Sequence, residues 1–325
     1  MKGPAIARAS CALFVAAAPG VWSCAAPSAT RAPGRPVIRL ITGPASGTLQ
    51  ATGAILQREY NRLPSGPTIE IVHSGGAVDN VLAIQAGHAD LGLTYADVAY
   101  SAFSGKLEQQ HQKFDQLAGI AVMQVAPLHI VTSAASKIHR VADLRGGRVG
   151  MASVSGSASG LTARLVLSLL AVPLSSVRIE PLNAESAYRR LQSGEVDAYL
   201  QVGLDPIDWI QKAVHDGVRL LPLTDTEVQH LSQVYPFFRP TVIRKTAYAG
   251  LAESVPTIGV DGLLVCRRDL DEQVVYDLAK GLFQALPALS FPDGSPFINV
   301  EQAAATPIPL HPGASRFYRE RQLSR

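Results

Sequence analysis

Serine, threonine and glycine crowd several short stretches of this chain, and each stretch stands where backbone N–H groups could grip an anion. The stretches are Ser46-Gly47-Thr48, Ser74-Gly75, Tyr95-Ala96-Asp97, Ser155-Gly156-Ser157-Ala158-Ser159 and Gly203-Leu204-Asp205-Pro206. Small residues let a ligand approach the backbone closely, and hydroxyls both donate and accept hydrogen bonds. The start of a helix adds unpaired N–H groups and partial positive charge. Taken singly, each Ser or Thr here reads equally well as a plain helix cap. Their recurrence at matching places in the chain argues for a ligand.

Other chemistries lack their residues. The chain has no GxxxxGK[ST], so the Ser/Gly loop at 153–160 is not a phosphate-gripping P-loop, and it has no strict GxGxxG. It has no GxSxG elbow for a nucleophilic serine and no HExxH for zinc. His73 and His88 fall near the first loops, but no cysteine or second histidine stands at ligand spacing; they read as surface or capping groups. Cys266 lies in the apolar run GLLVC, has no partner for a disulfide in the folded body, and reads as a buried small hydrophobe. Asp90 with Asp97, and Asp197 with Asp205, have spacings that suggest acid–base work. Asp90 and Asp197 recur at the same place in two halves of the chain, however, which makes them structural. No catalytic residue, metal or cofactor is expected.

The elements that must position these loops repeat. Residues 37–41 read as a strand, 42–47 as a loop capped by Thr48, and 49–60 as a helix with apolar residues at helical spacing. A second strand at 68–72, a helix at 77–86 and a third strand at 89–93 follow. The order returns further on: strand 147–151, loop 153–160, helix 161–170, strand 177–180, a loop and cap at 183–186, helix 187–192, strand 196–200. QAGHADLGL at 85–93 echoes QSGEVDAYL at 192–200, a glycine helix stop and then a strand led by Asp. This is a duplicated α/β unit with mostly parallel sheets. The Ser/Gly loop is therefore the first strand-to-helix turn of the second unit, on the edge of the sheet where ligands bind in open α/β folds.

Length and composition fit. The chain has 325 residues, enough for two domains, with 47% hydrophobic and 17% charged residues and a formal net charge of +3. No long basic run marks a nucleic-acid partner. Residues 1–24 read as an export signal: Lys2 and Arg8, an apolar stretch from Cys11 to Ala18, then VWSC. Cys24 is a candidate lipidation site within that last motif. Residues 25–36 are a Pro/Ala/Arg-rich tether. After the signal no apolar run is long enough to span a bilayer. The basic residues Arg239, Arg244 and Lys245 read as a solvated face.

With these motifs laid out, the chain resembles the TAXI-type solute receptors of tripartite ATP-independent periplasmic (TRAP) transporters. The matching text is ITGPASGT, HSGGAVDNVLAIQAGHADLGLTYADVAY, ADLRGGRVG, GSASGLTAR, LQSGEVDAYL, VPTIGVDGLLVCRRDL and IPLHPGASRFYRE, from Ile38 to Glu320. The resemblance implies a type II periplasmic-binding-protein-like α/β fold: two domains, a ligand cleft between them and two crossover strands. Domain I would hold 37–125 and 266–325, domain II 126–260, with the hinge near 126–131 and 258–265. It implies a monomer in the periplasm, or lipid-anchored at the outer face of the cytoplasmic membrane. That monomer would capture a small carboxylate such as glutamate or a dicarboxylate and pass it to TRAP permease subunits. A ligand sensor for a signalling partner is the alternative; an enzyme on this fold is disfavoured by the missing motifs. Two departures fall at the pocket. Leu49-Gln50 replace an aromatic pair common in the family, and Ala158 and Gly160 replace a glycine and an acid.

Overall fold

The structure, a computed structural model, describes residues 35–45, 47–108, 110–133, 135–152, 157–290 and 297–323. Ser46, Ser155 and Cys24, named above, and the leader and tether as far as residue 34, lie outside the described residues.

The strands are β1 (Val37–Ile41), β2 (Thr68–Val72), β3 (Leu91–Tyr95), β4 (Leu117–Thr132), β5 (Arg148–Ala152), β6 (Arg178–Leu182), β7 (Ala198–Val202), β8 (Arg219–Leu220), β9 (Phe238–Ile243) and β10 (Val255–Arg267). The helices are α1 (Thr48–Arg62), α2 (Ala77–Gln85), α3 (Ala96–Phe103), α4 (Ala158–Leu169), α5 (Ala184–Gln192), α6 (Asp208–His215), α7 (Asp225–Val234), α8 (Glu272–Ala285) and α9 (Pro312–Leu323). Strand order is β2-β1-β3-β10-β4-β7-β5-β6, with β8 on β4 and β9 on β10. This is the mixed α/β fold expected from the alternation of strands and helices.

The duplication is visible in the pairing. β1 runs parallel to β2 and β3, and β5 runs parallel to β6 and β7. Two long strands tie these sets together. β4 pairs antiparallel with β10 as far as Pro127 opposite Gly259, then changes partner, so that Leu128 lies opposite Val202 of β7. β10 changes partner in the same way, from β9 (Val260 opposite Phe238) to β3 (Gly262 opposite Tyr95).

Both β3 and β7 start one residue after the Asp that leads them, two residues later than the alternation of residue types implied. The cause is the same in both. Asp90 Oδ2 accepts from the backbone N–H and the Nε of Arg39, each at 3.0 Å, and Arg39 Nη2 also donates to Gly87 O. Asp197 Oδ2 accepts from the backbone N–H and Nε of Arg148 at 2.7 and 3.2 Å, and Arg148 Nη2 donates to Gly194 O. The aspartate of each echo thus clamps the first strand of its unit to the third. The structural reading of the pair follows from these bonds. Burial works against the Asp90 charge, but the bonds and charge of Arg39, with Arg267 adding a second guanidinium at 3.2 Å, hold its carboxyl below the usual range. Asp90→Ala should therefore cost about 2 kcal/mol of stability in urea unfolding, since hydrogen bonds to charged groups are the strong ones. The more exposed Asp197 should cost less on the same substitution. Equal losses would contradict this account.

Two of the motifs that carry the resemblance also brace the scaffold. In HSGGAVDN, Ser74 Oγ donates to Asn80 Oδ1 at 2.6 Å and accepts from Gly76 N at 3.1 Å, and Asp79 accepts from Gly75 N. Gly76 has φ 141°, which a side chain would resist. In IPLHPGA, buried His311 accepts from Gly313 N at Nδ1 and donates from Nε2 to Arg268 and Leu270 carbonyls at 3.1 Å. It is a neutral cap on α9, and burial, first among the causes, lowers its basicity. Cys266 is fully buried, as its apolar surroundings suggested. His73 and His88 are exposed. Arg239 departs from the expectation of a solvated face: its Nε donates to the buried carboxylate of Asp261 on β10. Among the described residues no helix is long and apolar enough to cross a membrane.

Candidate functional site

The last residue of β3, the end of β7 and the starts of α1, α2, α4 and α6 converge on one cavity of about 300 Å³. From the first unit it takes Gly43, Pro44, Gly47, Thr48 and Leu49 ahead of and into α1, Gly75, Gly76 and Ala77 at α2, and Tyr95 at the end of β3. From the second unit it takes Ser157, Ala158 and Ser159 at α4, then Gln201 and Val202 of β7 and residues 204 and 206–208 leading into α6. Gly47, Thr48, Gly75, Tyr95, Ser157, Ser159 and Pro206, from all five stretches picked by residue type, therefore come together around one space.

Each is placed by a local cause. Thr48 is not the cap of α1 but its first helical residue; the cap position is Gly47, extended at φ −87°, with no side-chain cap. Thr48 itself lies in the cavity wall. α4 starts at Ala158, three residues earlier than apolar spacing implied, because Ser157 caps it and accepts from Ser159 N at 3.4 Å. Ser159 is tied to β7: its Oγ accepts from Val202 N at 3.1 Å. Tyr95 ends β3 and α3 begins at the next residue, so the expected loop after it is absent. Burial raises the Tyr95 hydroxyl well above its ordinary value, with the nearby Asp97 charge adding to this; it is a neutral donor and acceptor at any working pH.

Three predicted contacts do not line the cavity. Ser74 is occupied by its own loop. Gly203 stands beside the cavity; its N–H donates to Pro127 O at 3.2 Å, joining β7 to β4, and a Cβ there would meet Ile207 at 3.0 Å. Asp97 is fully buried behind Tyr95, on the first turn of α3. It accepts from Val98 N at 2.8 Å and from the hydroxyl of Thr162 on α4. Burial pushes its carboxyl up to about 6 against these bonds.

Sequence reasoning missed Pro44, Gln201, Ile207 and Asp208, while Leu49, placed at the pocket by the resemblance, does line it. Leu49 carried a signal, since it stands where the resembled family has an aromatic residue. Gln201 is braced by Trp209, whose Nε1 donates to its Oε1 at 2.8 Å, which leaves the amide NH2 as the remaining donor. Beneath this wall, buried His129 is held neutral, its pKa lowered to about 4 by burial. Its Nε2 pairs with the Tyr248 hydroxyl at 2.9 Å, and that hydroxyl accepts from Ile207 N at 3.0 Å. Among the described residues lining the cavity there is no Lys, Arg or His. Asp208, the first residue of α6, is the one carboxylate in that lining, and the N-terminal ends of α1, α2, α4 and α6 turn their partial positive charge to the cavity.

This arrangement, with parallel strand sets joined by two shared strands and helix starts around a common cavity, is the fold of periplasmic binding proteins. Solved structures that share it include MatC from Rhodopseudomonas palustris with bound malate (18% identity, TM-score 0.55, covering 90% of this chain and 98% of that one). The periplasmic binding protein BugD is similar (15%, TM-score 0.52, 90% and 95%). So is the periplasmic sulfonate-binding protein SsuA from Methylobacillus flagellatus KT (15%, TM-score 0.51, 80% and 71%). The family model of the NMT1-like family matches residues 40–321, and the chain belongs to that family.

Proposed function

We propose that this protein is an extracytoplasmic solute-binding receptor that holds a small organic anion, a carboxylate, at the convergence of four helix starts. The observation that carries this reading is the cavity itself: Thr48, Ser157 and Tyr95 and the N-terminal ends of α1, α2, α4 and α6 surround one space, whose described walls hold no cationic side chain and one carboxylate, Asp208. Such a site favours an anion through oriented N–H groups and needs no catalytic residue. The neighbour with bound malate supports a carboxylate. The TAXI-like motifs support delivery to a TRAP-type permease, after export directed by residues 1–24 with Cys24 as a candidate anchor.

The two units would act as domains, 37–125 with 266–325 and 126–260. Closure would bend β4 and β10 near 126–131 and 258–265, where each strand changes partner. A thermal-shift screen of the ligand-stripped chain against carboxylates, sulfonates and neutral controls tests the reading. A saturable rise in melting temperature with one class of carboxylate is expected. Ser157→Ala should then weaken that ligand about ten-fold, the loss of one hydrogen bond to a charged group. A shift with no carboxylate, or full affinity in both Ser157→Ala and Thr48→Ala, would overturn the assignment.

A further inference from the structure

The cavity at the helix starts does not end at the turn formed by residues 204–206. A hollow of about 350 Å³ shares Gly47, Thr48, Leu204 and Pro206 with it. A third, of about 420 Å³, shares Asp205 and Phe297 with the second. The three form a series along one turn, from the helix starts to the two long strands. The third hollow is walled by Val122, Met123 and Val125 of β4, Thr241 of β9, Arg244 and Phe297.

Its chemistry differs from that of the first cavity. Asp205 and Asp261 bring two carboxylates, and Arg244 with Arg239, the partner of Asp261, two guanidiniums. Among the described residues these charges balance. Asp261 is 1% exposed, and burial pushes its carboxyl up against the pull of Arg239. A second anion brought beside it would be opposed. A neutral group that both donates and accepts would instead meet the Thr241 hydroxyl and the amides of Asn299 and Gln302. Val122, Met123, Val125 and Phe297 offer apolar surface to a methylene chain leading there.

We infer that this third hollow is a second subsite of the same cleft, and that it takes the uncharged hydrogen-bonding end, an amide or hydroxyl, of an elongated organic monoanion. The inference rests on the receptor reading, which places the carboxylate at the helix starts. It narrows the ligand class: a monocarboxylate with a neutral polar tail is preferred to a dicarboxylate of the same length.

Matched pairs test it. The purified, ligand-stripped full chain is titrated calorimetrically with succinate and succinamate, glutarate and glutaramate, adipate and adipamate, and acetate as the short control. At the length that spans the cleft, the amide-ended acid should bind about ten-fold or more tighter than its dicarboxylate and than acetate, because a site built to pair a neutral group rejects one it cannot pair. Thr241→Val with Gln302→Leu should remove that advantage and leave acetate binding unchanged, whereas Ser157→Ala should weaken the whole series. If the acids bind but each dicarboxylate matches or exceeds its amide, or the double variant changes nothing, the second subsite is wrong and the receptor reading stands. If no acid in the panel binds to folded protein, the receptor reading falls and takes the subsite with it.

Discussion

From about pH 4 to about pH 7, the Asp97→Asn chain should gain about 3 kcal/mol of stability relative to the unsubstituted chain. Asp97 is fully buried, and burial pushes its carboxyl up to about 6. In the unfolded chain the same group releases its proton near the ordinary aspartate value of about 4. Below that value both states are protonated and the group is neutral to stability. As pH rises through the interval the unfolded state sheds the proton while the folded state keeps it, so the fold loses stability, and the loss is complete above about 6. Asparagine removes the titration and keeps the geometry: its amide can accept from Val98 N and donate to Thr162, whose hydroxyl already reaches the Ala158 carbonyl at 3.2 Å. The difference between the two chains isolates this group from Asp90 and Asp197, whose depressed carboxyls act in the opposite direction. Urea unfolding across the pH range measures it. A difference that stays flat would show that Asp97 ionises as in water. Since Asp97 lies on α3 and Thr162 on α4, the bond also joins one unit to the other directly behind Tyr95 and Ser159.

The second large effect is expected at Gly313. A Cβ built there would stand 2.2 Å from the Glu272 carbonyl oxygen and 2.7 Å from the Tyr276 nitrogen. Both are backbone atoms of α8, so no side chain can swing aside. Gly313→Ala must push α9 off α8 or break the His311 cap, which accepts from the Gly313 N–H. A cost of about 3 kcal/mol is expected, at the upper end for an overpacked core. In a body of this size that lowers the melting temperature by roughly 6 °C. The variant should still bind ligand below its melting point, because α8 and α9 contribute no side chain to the cavity. A melting temperature unchanged within a degree would refute the close crossing. This also gives IPLHPGA its physical meaning: a capping histidine, then a glycine where two helices touch.

How much was legible beforehand depended on how local each feature is. The echo between QAGHADLGL and QSGEVDAYL identified the duplicated unit, and the structure shows that it encodes the same clamp twice, Arg39 with Asp90 and Arg148 with Asp197. The strand starts were misplaced by two residues because the Asp looks like strand in alternation yet is drawn off by an arginine about fifty positions earlier. Ser74 resembled a ligand contact because a loop serine that bonds its own loop and one that bonds a ligand have the same neighbours in sequence. Arg239 resembled a surface charge because nothing near it in the chain announces Asp261.

By itself, then, the sequence determined the α/β alternation, the two equivalent units and the set of strand-to-helix turns from which a site had to be built. Those rest on hydrophobic period, glycine stops and capping residues, which act within a few positions of one another. Only the tertiary structure decided which of those turns share a cavity, that Asp97 bonds Thr162 on α4 instead of lining that cavity, and that further hollows lie beyond residues 204–206. Those outcomes depend on where β4 and β10 change partners, and strand pairing across a hundred residues or more is set by packing of the whole sheet, which no local spacing records.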